Sequence, residues 1–214
     1  MLHPRPGTMV RPRRRSPPHS SSTSTWRGVL ISGRSWPAWL GEPRGNQVMP
    51  YPDDPLDSVQ DRVAIPDLEA LDFSSTDPAT TLAKVRLLTA AATYFNTIAV
   101  AEFGGRLGPL RAPGMLEGVI GAAFQTFGGV DPHPEAFDKA AMLLRGITQG
   151  HPFNDGNKRT GFLTASYFLE LVGYPLPAVL DVDAAVALCM RVSAGDMRAI
   201  DAIARALALL WHSP

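Results

Sequence analysis

The feature that most constrains this chain is a polar decapeptide set between two apolar runs of helical period. It reads His151-Pro152-Phe153-Asn154-Asp155-Gly156-Asn157-Lys158-Arg159-Thr160. The apolar pattern Ala140 to Ile147 precedes it, and Gly161 to Leu176 follows, where Glu170 is the only charge. Two such runs must pack against the rest of the fold to leave water, which presses a short, densely charged loop against the core. Polar groups placed there cost free energy unless they are paired or hold a ligand. The loop therefore reads as a site, and the flanking helices as its support.

The remaining pattern supplies more helices. Asp77-Pro78 suits a helix start, since Asp caps and Pro at the first helical position loses only an orphan N–H. A helix through Leu82, Val85, Leu88, Ala92, Phe95 and Val100 should stop at Gly104-Gly105. Gly105 to Pro113 reads as a loop with a short extended piece near Leu107 to Arg111. A second helix is expected from Met115 to Thr126, closed by Gly128-Gly129. A third, capped by Asp131, should run from about His133 to Thr148, with Glu135 and Lys139 at i,i+4 spacing. After the decapeptide, the apolar helix should end at Gly173. Asp181 or Asp183 begins another helix through Leu188 and Val192. Gly195-Asp196 breaks it and caps a last one, Met197 to Trp211. No strand run or repeat stands out, so the fold class is all-α, one small bundle over 77–214.

Upstream, residues 1–55 hold ten prolines and the Ser/Thr run Ser20 to Thr25. Such a stretch buries too little apolar surface to offset ordering entropy, and reads as a disordered Pro/Arg/Ser-rich tail. Residues 56–76 read as a linker with one short turn near Leu68 to Leu71. The formal net charge of +0 conceals a split: residues 1–48 carry eight Arg against Glu42 alone. The remaining 12 basic and 19 acidic residues leave residues 49–214 at −7, which argues against general or specific nucleic-acid binding by that part. The single cysteine, Cys189, excludes an intrachain disulfide and reads as a small core residue. No uncharged run reaches the roughly 18–20 residues of a membrane span, and no signal-peptide pattern opens the chain. The expectation is a soluble cytoplasmic protein without a membrane partner.

The decapeptide has a definite chemical content. His151 can be a neutral base near neutral pH. Asp155 can hold a hard divalent cation, and Mg2+ typically takes one or two carboxylates plus substrate phosphates. Gly156 lets successive N–H groups converge on an anion at the start of the next helix. Lys158 and Arg159 add fixed positive charge. A base, a metal carboxylate, an anion nest and two cations describe phosphoryl or nucleotidyl transfer.

The pattern His151-x-Phe153-x-Asp155-Gly156-Asn157-Lys158-Arg159 resembles the signature of the Fic/Doc family, His-x-Phe-x-Asp/Glu-Gly-Asn-Gly-Arg-x-x-Arg. Lys158 stands where the general form has its second Gly, and Phe162 where it has its second Arg. Both departures look like the Doc branch, the death-on-curing toxins of toxin–antitoxin modules. The similarity extends from about Leu88 to Trp211, with Thr126-Phe127-Gly128-Gly129 before the motif and Phe168 to Tyr174 after it.

The resemblance implies a Fic-fold bundle and a role for each matching residue. His151 would deprotonate a target hydroxyl, and Asp155 would hold Mg2+ on the phosphates of ATP or another nucleotide. Gly156, Asn157, Lys158 and Arg159 would form the anion hole, while Phe153 would anchor the loop in the core. The Gly105 to Pro113 loop matches the flap that aligns a target peptide. In AMP-transferring relatives the second Arg grips the outer phosphate. With Phe162 there, the resemblance implies a reversed nucleotide and a kinase acting on a protein hydroxyl, that of elongation factor Tu, so blocking translation. The alternatives are a Fic-type adenylyl- or nucleotidyltransferase and a non-catalytic antitoxin-binding module. The family's inhibitory helix is not matched, because Pro113 stands where Ser or Thr is needed before Glu117-Gly118. A separate small antitoxin is therefore the implied partner.

Overall fold

The computed structural model describes residues 71–212 except Gly104 and Pro109. The expected tail, 1–55, and most of the expected linker, with its turn near Leu68, lie outside the described residues. Six α-helices account for the fold: α1 Pro78–Phe103, α2 Met115–Gly121, α3 Ala136–Gly150, α4 Asn157–Leu171, α5 Val182–Ala194 and α6 Ile200–His212. Among the described residues no β-strand forms, and a single bridge closes the Phe127–Val130 turn. The all-α expectation holds.

The central pair is α3 against α4, the two helices joined by the decapeptide. Their approach is close because Gly161 has no side chain. A Cβ there would lie 2.7 Å from Thr148 Oγ1 and 3.0 Å from the Leu144 carbonyl oxygen. Leu143, Leu144 and Ile147 of α3 and Ala165, Phe168 and Leu169 of α4 are fully or almost fully buried. α1 covers α4 with Leu88, Ala92, Phe95 and Ala99, and α5 and α6 cover α3. α2 sits on α3 through Val119, whose methyls occupy the space left by Gly146 and Gly150.

α1 starts where the sequence places it. The Asp77 carboxylate accepts from Thr80 N–H at 2.9 Å, and Pro78 is the first helical residue. Asp181 caps α5 in the same way, through Ala184 N–H at 2.9 Å. Three boundaries and one ion pair differ from expectation. The second helix stops at Gly121 and tightens into a 3-10 turn, Ala122–Phe124, instead of running to Thr126. The third begins at Ala136 rather than His133. Pro134 bars the residue before it from helical geometry, and Glu135 is still extended at ψ 143°. The last helix begins at Ile200, since the N–H groups of Asp196 and Met197 turn back to the Arg191 carbonyl at the end of α5.

The expected Glu135–Lys139 pair gives way to a more buried one. Lys139, 6% exposed, donates to the Asp131 carboxylate and to the Ala123 carbonyl at 3.2 Å, and lies 5.5 Å from the Phe124 ring centre. Lys84, 1% exposed, donates to the Phe73 carbonyl at 3.1 Å and to that of Ser75. It thereby straps residues 73–75 to α1, while the Phe73 ring meets Phe168 edge-on at 5.7 Å. Order in the described chain thus begins before Asp77.

Candidate active site

The decapeptide is built by two left-handed residues. α3 ends at His151, with φ 49° and ψ 52°, the one non-glycine residue at positive φ among the described residues. Its N–H still bonds back to the Ile147 carbonyl at 3.2 Å, so the turn both caps α3 and presents an exposed imidazole. Gly156, with φ 76°, starts α4. A Cβ there would be 2.9 Å from Asn96 Nδ2 and 3.2 Å from Val100 Cγ2, so both conformation and space demand glycine.

Between these points the loop is held from inside. Phe153 is 3% exposed and Pro152 is buried. The Asn157 side chain clamps the Phe153 backbone twice, accepting from its N–H at 3.0 Å and donating to its carbonyl at 2.9 Å. The side-chain amide of Asn157 is thus committed to loop geometry, which leaves its backbone N–H as the group it offers at the helix start. The first helical bond runs from Thr160 N–H to the Gly156 carbonyl at 2.9 Å. The N–H groups of Asn157, Lys158 and Arg159 therefore have no helical acceptor and face outward with the positive end of the α4 dipole.

Sequence reasoning missed Asn96. It lies on the apolar face of α1, 6% exposed, and donates to the Asp155 carbonyl at 2.8 Å and to Thr160 Oγ1 at 3.0 Å. One amide thereby fixes the loop and the first turn of α4 to α1. The signal was present: a polar amide between Phe95 and Ala99, in an otherwise apolar stripe, needs a partner.

The charged groups sit around this frame. Asp155 is exposed, and its Oδ1 accepts from Gly156 N–H at 2.7 Å. Among the described residues no group of three His, Cys, Asp or Glu has metal-ligand spacing. A lone exposed carboxylate beside a row of free N–H groups fits Mg2+ carried in on phosphates, and does not fit an all-protein metal cage. Arg159 is half-buried against the end of α1, 3.4 Å from the Ala99 carbonyl and 5.0 Å from the Phe103 ring centre. Burial holds its guanidinium below the usual range, with Asp155 opposing. Lys158 is exposed on the first turn of α4, near enough to α5 to act on the Cys189 thiol. The two cations thus have different neighbours, Arg159 the end of α1 and Lys158 the α5 side.

Position 162 carries no charge to this site. Phe162 is 2% exposed, and its ring lies 6.3 Å from that of Trp211 in α6. The expected flap, Gly105 to Pro113, runs beside the decapeptide. Among its described residues no strand forms, but it is pinned: Arg111 N–H donates to the Pro152 carbonyl at 2.9 Å. The other contacts are similarly close. A Cβ on Gly108 would be 2.2 Å from Asn154 Nδ2, and one on Gly105 would be 2.8 Å from Asp155 Oδ2.

Comparison with known proteins points the same way. Residues 77–169 match the model of the Fic/DOC family. A protein described as Toxin Doc, from Mycolicibacterium smegmatis, is 41% identical over 106 residues, 50% of this chain and 80% of that one. No helix among the described residues is long and apolar enough to cross a membrane.

Proposed function

From its membership of the Fic/DOC family, we propose that this chain is a Doc-like toxin that transfers the γ-phosphoryl group of ATP to a protein hydroxyl. The acceptor proposed is elongation factor Tu, whose modification blocks translation, and the partner that restrains the toxin is a separate small antitoxin. His151 takes the proton of the acceptor hydroxyl as its oxygen forms a bond to the γ-phosphorus. The bond from that phosphorus to the β,γ-bridging oxygen breaks, and ADP leaves. The outward N–H groups of Asn157, Lys158 and Arg159 bind the phosphate oxygens, and the side chains of Lys158 and Arg159 add charge. Asp155 is the residue that would hold Mg2+, which neutralises phosphate charge when bound.

The observation that favours γ- over α-transfer is Phe162. A side chain buried against Trp211 cannot grip an outer phosphate, so the cation that fixes the AMP-transferring orientation is missing from α4. Incubation of the protein and its acceptor with ATP labelled separately at α and γ tests this. Label from γ on the acceptor is the expected result, and label from α overturns it in favour of nucleotidyl transfer. His151→Ala is expected to abolish transfer and growth arrest. Growth arrest that survives this change would instead favour a module that acts by binding alone.

A further inference from the structure

The flap and the catalytic loop run antiparallel, and the three contacts that show it are Gly105 with Asp155, Gly108 with Asn154, and Arg111 with Pro152. Gly105 has φ +150°, open mainly to glycine, and its missing side chain lets the backbone lie directly on the Asp155 carboxylate. The next residue is Arg106, exposed and without an ion pair among the described residues. Its Cα is one peptide step, about 3.8 Å, from that of Gly105. An arginine side chain easily covers the distance back to the metal carboxylate.

The charge balance of the site gives this position a task. A Mg2+-bound nucleoside triphosphate remains anionic. Of the two cations on α4, Arg159 is half-buried and partly engaged by the Ala99 carbonyl and the Phe103 ring. Position 162 adds none. On the reading of the site as an ATP site, we propose that Arg106 supplies the further phosphate-binding cation. It does so from the flap side, opposite the α4 N-terminus, so the polyphosphate lies between the two. Its exposure fits this: a guanidinium held for an anionic ligand stays hydrated and unpaired until the ligand arrives.

The test is direct binding of Mg·ATP and of AMP, by calorimetry, to the full chain carrying Arg106→Gln, Arg106→Lys or Arg111→Gln. Arg106→Gln is expected to weaken Mg·ATP roughly tenfold or more, as loss of one charge-assisted contact does. AMP should change less than twofold, and Arg106→Lys should recover part of the loss as a point charge. Arg111→Gln, at the His151 end of the flap, should stay within twofold of the parent. Unchanged Mg·ATP affinity in Arg106→Gln, or equal losses at both arginines, overturns the inference and leaves the ATP reading intact. Failure of the parent chain to bind Mg·ATP overturns both. Label transfer from α in place of γ overturns only the direction of transfer.

Discussion

The Asn157 side chain forms a closed ring with the backbone of Phe153, accepting from its N–H at 3.0 Å and donating to its carbonyl at 2.9 Å. Both partners are buried, so each bond broken leaves an unsatisfied group away from water. Asn157→Ala is expected to cost about 1–3 kcal/mol of stability and to reduce transfer at least tenfold by loosening the loop that carries His151 and Asp155. Asn157→Asp should be worse, since it sets a carboxylate against the Phe153 carbonyl. Chemical denaturation together with initial rates checks both, and an Asp variant as active as the parent contradicts the ring's role.

Asn96 makes a second prediction from a distance. Asn96→Leu retains volume but removes the donor to the Asp155 carbonyl and to Thr160 Oγ1. Activity should fall at least tenfold, while the helical content by circular dichroism stays that of the parent. Asn96→Asp places a buried negative charge against the Asp155 carbonyl, with only the Thr160 hydroxyl able to turn and donate, and should unfold at lower denaturant than Asn96→Leu.

Asp131 sets part of the response to acid. Burial raises its carboxyl, but hydrogen bonds from Lys139 and from His133 N–H outweigh this and hold it below the usual carboxylate range. A depressed folded pKa contributes stability that is present above the unfolded value of 3.8 and lost as pH falls through the folded one. Thermal melts from pH 7 to 2 should therefore steepen below about pH 4. Asp131→Asn should melt lower at pH 7 and show a shallower acid limb. Parallel curves would rule the linkage out.

Cys189 should be silent toward thiol reagents. Burial pushes its thiol up to about 12, against a small opposing pull from Lys158. At pH 8 the native chain should react with a chromogenic disulfide only as fast as it unfolds, and the same reagent in denaturant should titrate one thiol at once. Fast labelling of the native form would place Cys189 elsewhere than in the α5 core. A folded pKa raised above 9.0 also means that this group's contribution is full below pH 9 and is lost as pH climbs toward about 12.

Much of the bundle was legible because its signals are local. Asp77-Pro78 and Asp181 announce helix starts through their own side chains, and the decapeptide carries its base, carboxylate, glycine and cations within one loop. What sequence did not reveal depends on distant partners. Asn96 acts on Asp155 across 59 positions. Lys139 left its i,i+4 neighbour Glu135 for Asp131, because the 3-10 turn at Ala122–Phe124 brings the Ala123 carbonyl and the Phe124 ring to it. The antiparallel run of the flap along the loop rests on backbone contacts at Gly105, Gly108 and Arg111, which no residue pattern encodes.

The left-handed turn at His151 has a consequence for how this protein fails. Holding a side chain other than glycine at φ 49° costs roughly 1 kcal/mol, yet the chemistry proposed for the loop needs an imidazole at this corner. Function and folding therefore compete at one residue. His151→Gly or His151→Asn should be inactive yet at least as stable as the parent, gaining up to ~1 kcal/mol, whereas β-branched His151→Val should lose stability. Calorimetric melting of the three variants decides this. In a cell that expresses such a chain, a change at this one residue would leave a well-folded protein without the proposed activity, present at full abundance and still able to occupy the proposed antitoxin.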